Sequence, residues 1–461
     1  MINRIKDTIA AISTRPGESA IGIVKLSGRN SIKIAERIFR AKNKNKIRLQ
    51  KTYTLIYGII VDSNERCIDE VIISVMKEPH SYTRENIVEI NCHGGIAATT
   101  KILELTIAKG ARIAEPGEFT KRAFLNGRID LTQAEAVIDI INSKTEQSLK
   151  IAANNLKGNI KKEIYRVKNE ILEIIAQLEV SVDFIEEDLH TIPYKELMDK
   201  IIKIKKSTEQ LVIDEKKGEI IKNGLKVAIV GKPNVGKSSI LNLLSKKDKA
   251  IVTEIPGTTR DAIEEILYVE GIQMMLVDTA GIRKTEDKIE KMGVEKTLSY
   301  IDEAELVVIV LDGSREFDKL DSEIIKRLEK KNVICCINKK DIKQKINIDN
   351  IKAHYPAENI IKISALKGYG AKKLESRIKK IILNDETNLS DRIIINARQK
   401  EILKKVISLL KKASKSMKNG LSEEFPSADL MIAYNILGDI TGDTKRDDIL
   451  NKIFKNFCIG K

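Results

Sequence analysis

Several residue types are scarce in this chain of 461 residues, and each shortage narrows what the protein can be. There is no tryptophan, and aromatic residues make up only 4% of the sequence. The four histidines are dispersed, so they predict no metal centre. The cysteines are also scattered and odd in number, which argues against a disulfide framework. They are Cys67, Cys92, Cys335, Cys336 and Cys458.

Long apolar runs are missing as well. No stretch approaches the roughly 20 apolar residues that a membrane-spanning helix requires. The first residues, MINRIKDTIAAISTRPGES, lack a continuous apolar segment followed by a cleavage site, so no secretory signal is expected. We therefore expect a cytoplasmic protein with reduced thiols and no membrane partner.

The chain is rich in lysine and in aliphatic residues. Its formal net charge is +15, and 42% of its residues are hydrophobic. Such a charge favours a polyanionic partner such as nucleic acid. An AT-rich coding sequence would give the same bias toward Lys, Ile and Asn, so the charge alone leaves both explanations open. The length suggests about three domains, at roughly 150 residues each.

Hydrophobic periodicity divides the chain into four segments. Residues 1–120 alternate strand-like runs such as AIGIVKLSG and NIVEINC with helical runs such as NSIKIAERIFR, which predicts a compact α/β domain. Residues 121–218 are helical, residues 219–383 return to α/β alternation, and residues 384–461 are helical again. The nearly continuous apolar strands of 219–383 are typical of a parallel sheet that is covered on both faces. We expect the two helical segments to pack together as one all-α domain that contains the α/β unit as an insertion.

A phosphate-binding loop is the first motif that carries chemistry. The strand KVAIV leads into GKPNVGKSS at residues 231–239, followed by a helix, which is the setting that such a loop requires. Backbone N–H groups of the loop and the helix N-terminus can cradle phosphates. Lys237 would reach the β- and γ-phosphates, and Ser238 would bind Mg²⁺.

Four further motifs follow in order, and they predict a guanine nucleotide. PGTTRD supplies hydroxyls for Mg²⁺ and the γ-phosphate, and DTAG, NKKD and SAL each follow an apolar strand. The carboxylate of Asp341 can accept both N1–H and the amino group of guanine, which adenine does not offer. The predicted GTP contacts are Asn234, Val235, Gly236, Lys237, Ser238, Ser239, Thr253, Glu254, Ile255, Pro256, Gly257, Thr258, Thr259, Asp278, Thr279, Ala280, Gly281, Asn338, Lys339, Asp341, Ser364, Ala365 and Leu366.

The residues for hydrolysis are less obvious. Many small GTPases orient the attacking water with a glutamine directly after the DTAG-type glycine, but here that position is Ile282. Arg260, Arg283 and Glu290 are candidates to replace it, and for each of them an ordinary surface salt bridge is the alternative. Asn234 could instead help to hold a monovalent cation in place of an arginine finger.

Together the motifs resemble one family. TRPGESAIGIVKLSG, SYTRENIVEINCHGG, EPGEFTKRAFLNGRIDLTQAEAVIDII, GKPNVGKSS, PGTTRD, DTAGIR, NKKD and the final CIGK are similar to the MnmE (TrmE) family of tRNA-modification GTPases over essentially the whole chain. The resemblance implies a multidomain protein with an N-terminal α/β (α+β) domain at 1–120 for folate binding and dimerisation. It further implies an all-α helical domain at 121–218 and 384–461, and an inserted P-loop α/β GTPase domain at 219–383.

The resemblance also implies an activity and partners. A homodimer would work with an MnmG (GidA)-type flavoprotein that carries FAD, as a heterotetramer. The pair would add an aminomethyl or carboxymethylaminomethyl group to C5 of the wobble uridine, position 34, of certain tRNAs. A reduced folate, 5,10-methylene- or 5-formyl-tetrahydrofolate, would supply the carbon, and GTP hydrolysis would depend on K⁺.

Position by position, the resemblance assigns site residues. Mg²⁺ would be held by Ser238 and Thr259. Glu290 would act indirectly on the attacking water, and Arg283 matches a switch arginine. The K⁺ ligands would be Asn234, Thr253, Ile255 and Thr258, and the folate residues Lys25, Glu89, Arg128 and Lys461.

Three positions depart from the family pattern. Lys25 replaces an arginine and Arg128 replaces a lysine, which keeps the charge but changes the donor geometry. Arg84 in SYTREN takes the place of a glycine, so the form of that turn is open. For each folate residue, a plain surface charge is the alternative.

The last residues are expected to be anchored. DDILNKIFKNF places an apolar stripe on one helical face, which would hold the chain end near the folate domain. A thiol beside a lysine can be nucleophilic, so Cys458 has either a chemical role or an inert, buried one. The apolar stripe consists of Ile449, Leu450, Ile453, Phe454 and Phe457.

A second class of function stays open from the GTPase motifs alone. An RNA-binding regulatory GTPase of ribosome assembly would need the same nucleotide site. Such a protein would not need a folate pocket in the first 120 residues. A dedicated RNA-binding module after residue 383 would favour this class, but the sequence does not indicate one.

Overall fold

The fold is described from a computed structural model, which covers residues 7–43, 47, 50–183, 193–213, 215–245, 263–269, 272–277, 301–383, 393–444, 450, 453–455, 457–458 and 460. The chain forms two compact units. The first comprises Met1–Ile138, Asn155–Lys205 and Lys405–Lys461, and the second comprises Asp139–Asn154 and Lys206–Lys404. The boundaries expected from the sequence, at 120, 218 and 383, stay a prediction.

The first unit contains a seven-stranded sheet in the order β3-β4-β5-β6-β2-β1-β7. Its strands pair antiparallel except for β1 with β7. The elements are β1 (Ile9–Ile12), β2 (Ile21–Ser27), α1 (Ser31–Ile38), β3 (Phe39–Ala41), β4 (Thr54–Val61), β5 (Cys67–Met76), β6 (Ile87–His93), α2 (Ile96–Ala108) and β7 (Arg112–Ile113).

Alternation along the strands places α1 and α2 on one face of this sheet. Val71, Ile73 and Val75 of β5 point into the core with Ile34 of α1 and Ile102 of α2. The run NSIKIAERIFR was expected to be helical throughout, but α1 ends at Ile38. The next three residues pair with β4 instead, since the buried Phe39 packs in the same core. Tertiary packing thus overrides the local helical pattern.

A run of helices follows the first sheet. These helices are α3 (Glu118–Leu125), α4 (Leu131–Asn142), α5 (Glu146–Leu156), α6 (Asn159–Asp183), α7 (Tyr194–Ile213) and α8 (Glu215–Asn223).

The second unit contains a six-stranded sheet in the order β13-β12-β11-β8-β10-β9. Its strands are parallel except for β9, an antiparallel edge strand that was not expected from the sequence. The elements are β8 (Leu225–Val230), α9 (Lys237–Ser245), β9 (Ile263–Val269), β10 (Ile272–Val277), β11 (Leu306–Asp312), α10 (Lys319–Arg327), β12 (Val333–Asn338), α11 (Asp349–Lys352), β13 (Ile360–Lys362) and α12 (Ala371–Leu383).

The central strands explain the apolar runs of the sequence. Every residue of β11 and β12 is buried, because helices cover both faces of this sheet. The carboxyl ends of β8, β11, β12 and β13 lie at one edge, which is where open α/β sheets bind their ligands.

Two long helices complete the described chain: α13 (Ala397–Lys418) and α14 (Glu424–Thr441). Helix α6 packs against α14, so helices from before and after the second sheet contact each other. The ammonium of Lys168 on α6 forms an ion pair of 2.8 Å with Asp443, just after α14, and lies over the ring of Tyr434. None of the described helices has the length and apolar character of a membrane span.

Candidate functional site

The loop between β8 and α9 has the shape of a phosphate-binding loop. Gly231, Asn234 and Gly236 adopt positive φ angles of 148°, 63° and 98°. A Cβ atom on Gly236 would lie 2.2 Å from the amide nitrogen of Asn338, and one on Gly231 would lie 2.4 Å from the carbonyl oxygen of Val310. Glycine is therefore required at both positions for packing as well as for conformation.

The side chain of Lys237 lies over this loop. Its ammonium donates hydrogen bonds to the carbonyl oxygens of Gly231 at 2.8 Å and Lys232 at 2.7 Å. Burial lowers the pKa of Lys237. The charge is thus held at the centre of the loop, where phosphate oxygens would be natural acceptors for the same hydrogens.

Asn338 joins three of the predicted motifs. Its amide nitrogen donates to the carbonyl oxygen of Val235 at 2.8 Å, and its amide oxygen accepts from the N–H of Ala365 at 3.1 Å. The side chain is buried. This asparagine, expected at the edge of the base, therefore also fixes the phosphate loop relative to the SAL loop.

Asp341 is oriented by a hydrogen bond from the next motif. The hydroxyl of Ser364 donates to a carboxylate oxygen of Asp341 at 2.6 Å, and itself accepts from the N–H of Lys367 at 3.2 Å. The hydrogen bond from Ser364 lowers the pKa of Asp341. The carboxylate is thus charged and oriented, and its role as the acceptor for guanine stays a prediction. Leu366 is 86% exposed beside it.

Asp312 is a partner in this site that sequence reasoning missed. It ends β11, and its carboxylate accepts from the ammonium of Lys339 at 2.7 Å and from the hydroxyl of Ser314 at 2.6 Å. Lys339 has a positive φ of 65°, so its backbone and its side chain are both fixed. An aspartate that closes the apolar run LVVIVLD at a strand end was the available signal.

Part of the predicted nucleotide site lies outside the described residues. Of the predicted cation ligands, Ser238 is exposed in the first turn of α9 and Asn234 is exposed in the phosphate loop. The predicted residues outside the described ranges are Thr253, Glu254, Ile255, Pro256, Gly257, Thr258, Thr259, Arg260, Asp278, Thr279, Ala280, Gly281, Ile282, Arg283, Glu290, Ile449 and Lys461.

Three predicted folate residues of the first unit lie around one tyrosine. Lys25 on β2 and Glu89 on β6 are paired in register and form an ion pair of 3.3 Å. The ammonium of Lys25 lies 5.1 Å from the ring centre of Tyr82, and the guanidinium of Arg128 lies 4.7 Å from the same ring. Phe119 completes this group, which we call the Lys25 cluster, at 5.3 Å from the ammonium of Lys25.

Tyr82 and Phe119 were not expected as site residues. Tyr82 is held by a hydrogen bond of 3.0 Å between its hydroxyl and that of Thr120, and burial raises its pKa. Both aromatic residues occur in the motifs that carry the family resemblance, SYTREN and PGEFTKR. Two cations held over one aromatic ring form a site suited to an anionic ligand.

The chain end lies against the first sheet. The hydroxyl of Ser13 donates to the carbonyl oxygen of Gly460 at 3.2 Å, and the N–H of Gly117 donates to that of Cys458 at 3.3 Å. A Cβ atom on Gly460 would lie 2.6 Å from the carbonyl oxygen of Ile12, which pairs in register with Val24. The end therefore lies against β1, next to Ala11, which is the register partner of Lys25. The thiol of Cys458 is exposed rather than buried.

An apolar anchor holds this end in place. Leu450, Phe454 and Phe457 are buried together with Phe124 of α3 and Leu131 of α4. This packing confirms the anchoring expected for the described members of the apolar stripe.

The backbone at Arg84 shows the form of the SYTREN turn, which the family resemblance left open. It keeps a positive φ of 58°, the conformation that glycine adopts most easily. Its guanidinium donates to the carbonyl oxygen of Asn126 at 3.0 Å. The arginine thus ties its turn to the segment that carries Arg128.

A buried ionic network holds helix α3, which carries Phe119 of the Lys25 cluster. Arg122 is only 1% exposed and forms ion pairs with Asp7 at 2.8 Å, Glu118 at 2.9 Å and Glu85 at 3.3 Å. Arg112 contacts Asp7 and Glu118 at 2.7 Å each. Removing one member of such a network leaves buried charges uncompensated, so the network fixes α3 relative to the sheet.

Comparison with known proteins covers the whole chain. Residues 8–128 match the family model described as GTP-binding protein TrmE N-terminus, and residues 131–458 match the MnmE helical domain. The tRNA modification GTPase MnmE of Ligilactobacillus salivarius is 47% identical, with 99% of this chain and 98% of the relative covered. That of Clostridioides difficile is 46% identical, with 99% and 100% covered.

Two solved structures are similar to part of this chain. An Era variant of Aquifex aeolicus bound to GDP·AlF4⁻ is 30% identical, with 40% of this chain and 67% of that chain covered, at a TM-score of 0.26. The G domain of the T. maritima FeoB iron transporter is 25% identical, with 34% and 97% covered, at a TM-score of 0.25.

Proposed function

Since the chain belongs to the MnmE family of tRNA-modification GTPases, we propose that it modifies C5 of the wobble uridine, position 34, of certain tRNAs. It adds an aminomethyl or carboxymethylaminomethyl group together with an MnmG-type flavoprotein that carries FAD. A reduced folate supplies the carbon, and K⁺-dependent GTP hydrolysis drives the cycle in the cytoplasm.

The Lys25 cluster is the observation that carries the folate assignment. A pterin presents ring N–H and amino donors on one edge, for which the carboxylate of Glu89 is a suitable acceptor. Lys25 and Arg128, which both lie over the ring of Tyr82, can bind carbonyl and carboxylate oxygens. When bound, the reduced folate supplies a one-carbon unit at the oxidation level of formaldehyde or formate. The residues of the cluster bind and orient it.

The chain end would close this pocket. Gly460 lies against Ile12 and Ser13 near the end of β1, and Lys461 is the next residue in the sequence. We place Lys461 among the folate residues. The exposed thiol of Cys458 is accessible to a reactant, in keeping with a chemical role.

The nucleotide site supports GTP hydrolysis with an unusual cation. Asn234 is exposed at a positive φ in the phosphate loop, where its side-chain oxygen can join a K⁺ site with Thr253, Ile255 and Thr258. Bound there, K⁺ would supply positive charge for the transition state. Ser238 and Thr259 would hold Mg²⁺. Glu290 would act on the attacking water through other groups, and Arg283 would serve as the switch arginine.

An apolar sheet face supports the proposed homodimer. Leu55, Tyr57 and Ile72 are exposed on the face opposite α1 and α2. They share that face with Lys25 and Glu89, because Leu55, Ser74, Glu89 and Lys25 are successive partners in register. A second copy on this face would therefore also enclose the Lys25 cluster. Two such copies with two flavoprotein subunits give the heterotetramer.

The function is tested by nucleoside analysis of tRNA from cells that lack this chain. We expect the modified wobble uridine to disappear and to return with the wild-type chain. A chain truncated after Phe457 should hydrolyse GTP at nearly the wild-type rate but restore no modified nucleoside. Normal modification in cells without the chain would contradict the proposal.

The cation is tested separately with purified protein. GTP turnover should be at least about tenfold faster in KCl than in NaCl of equal ionic strength, and Asn234→Ala should reduce that difference. Equal rates in both salts would refute the role of K⁺ and leave the tRNA assignment untouched.

A further inference from the structure

Helix α13 carries a row of lysines that neither the nucleotide site nor the Lys25 cluster uses. Residues 402–420 contain six lysines and no acidic residue. The last five of these lysines belong to the first unit and are exposed. We call them the lysine face: Lys405, Lys411, Lys412, Lys415 and Lys418.

The lysine face lies opposite the side that anchors the helix. Val406, Leu410, Ala413 and Met417 are buried at alternating spacings of four and three residues. At 3.6 residues per turn, the five lysines fall on the other side within an arc of about 140°, along about 20 Å of helix. The row is thus fixed by a buried stripe, with every ammonium directed to solvent.

The lysine face has no ion-paired acidic partner among the described residues. Within the described residues none of the five lysines forms an ion pair, whereas Lys404 on the same helix contacts Glu401 at 2.8 Å. Like charges three or four positions apart destabilise a helix. The negative helix C-terminus compensates for Lys415 and Lys418, but Lys405, Lys411 and Lys412 lie in earlier turns. A polyanion along the face would relieve the repulsion.

We propose that the lysine face of α13 binds the sugar–phosphate backbone of the tRNA, an inference that rests on the proposed function. Lysine is a common phosphate contact in nucleic-acid complexes. Protein–protein interfaces, by contrast, are depleted in lysine and enriched in aromatic residues and arginine, which this face does not contain. A phosphate backbone is therefore a better match than an acidic protein.

The test compares two full-length variants with the same change in charge. The first is K405Q/K411Q/K412Q/K415Q/K418Q, in which glutamine keeps the helix propensity of lysine. The control is K33Q/K101Q/K326Q/K330Q/K352Q, which alters five exposed lysines elsewhere. Binding of fluorescent tRNA is measured by anisotropy between about 50 and 300 mM KCl.

We expect the first variant to bind tRNA at least about tenfold more weakly near 100 mM KCl. The magnitude of the slope of log K against log salt should fall by about four to five, since each of the five lost phosphate contacts removes roughly one unit. The control should stay within about threefold of wild type. Both variants should hydrolyse GTP like wild type, because none of these residues belongs to the nucleotide site.

Two results would overturn the proposal. One is a first variant that binds tRNA as tightly as the control, with the same salt slope. The other is a first variant that keeps its tRNA affinity but no longer binds the flavoprotein, which would make the face a protein-docking surface. In either case the proposed function would still stand if modified wobble uridine is present in cells that carry the wild-type chain and absent from cells that lack it.

Discussion

The nucleotide site and the Lys25 cluster are built in different ways. The nucleotide site consists of loops that follow parallel strands, and its contacts run largely through backbone groups, as between Asn338, Val235 and Ala365. The Lys25 cluster consists of side chains from separate segments, held in place by a buried ionic network. The first arrangement leaves contiguous motifs in the sequence, whereas the second does not.

This difference predicts how each site fails. A site made of backbone loops should be sensitive to added volume at its glycines and to the single carboxylate that recognises the base. A site made of converging side chains should depend on whatever fixes the segments relative to one another. Substitutions in each site test this contrast between the nucleotide site and the Lys25 cluster.

Arg122→Met should have the largest effect. It leaves Asp7, Glu85 and Glu118 without their buried partner, and breaking such a network typically costs about 3–5 kcal/mol of stability. Hydrogen–deuterium exchange should show the loss in α3 and the first sheet, while GTP binding by the second unit is retained.

Arg166→Met is the matched control for this prediction. Arg166 pairs with Glu163 and Glu170 on the surface of α6, so its loss should cost less than about 1 kcal/mol. Equal protection losses for the two variants would contradict a structural role of the buried network.

Asp341→Asn should alter the choice of nucleotide. The change leaves one neutral acceptor and places an amide donor opposite the other guanine donor. A hydrogen bond to a charged group is worth about 1.5–3 kcal/mol, so losing one and weakening the other should lower GTP affinity by about 10²–10³-fold, and XTP should be preferred. Nucleotide titrations measure this directly. Asp349→Asn, which affects only an exposed pair with Lys352, should leave GTP affinity unchanged. A normal GTP preference in Asp341→Asn would refute the guanine assignment.

Gly236→Ala should disrupt the phosphate loop. The added Cβ meets the amide of Asn338 at 2.2 Å, and the positive φ adds strain of about 1–3 kcal/mol. Gly420→Ala also adds a Cβ at a positive φ, of 65°, but that Cβ would have no atom within 4 Å. This variant therefore shows the effect of backbone strain without a steric clash. Thermal unfolding and GTP titration should show lost nucleotide binding for the first variant only. Intact binding there would mean that the close contact is unimportant.

Acid should weaken the first unit through Glu118. Burial raises the pKa of this carboxyl, but hydrogen bonds from Arg112, the Glu115 N–H and Arg122 outweigh burial and hold the pKa below its usual value. A lowered pKa contributes stability above the unfolded value, near 4.5, that is lost as the pH falls through the folded value.

The free energy of unfolding should fall as the pH is lowered from about 6 past the unfolded value near 4.5 and through the lower folded value, measured by urea unfolding followed by circular dichroism. Arg112→Gln should reduce this pH dependence. An unchanged pH profile in that variant would show that the acid response arises elsewhere.

The described loops of the nucleotide site have the local geometry that their motifs predicted, because each motif is local, while the nucleotide contacts of their residues stay a prediction. A glycine-rich loop between a strand and a helix, and NKKD after a buried strand, each fix their own geometry. The antiparallel strand β9 and the strand β3 were missed, since edge pairing and tertiary packing decided them. Three charged members of the Lys25 cluster came from the family resemblance. Tyr82, Phe119 and the Arg122 network needed three-dimensional proximity, which no spacing in the sequence encodes.

Calorimetric titration of 5-formyl-tetrahydrofolate into the full-length protein tests whether the Lys25 cluster binds a reduced folate. We predict saturable binding to wild type and at least about tenfold weaker binding to K25Q/R128Q, since both cations on Tyr82 are then lost. The control K42Q, which removes a cation from Tyr57 on the same sheet, should bind like wild type, and GTP affinity should be equal in all three. Equal folate binding by wild type and K25Q/R128Q, or no binding by wild type, would contradict the assignment of the Lys25 cluster as the folate site.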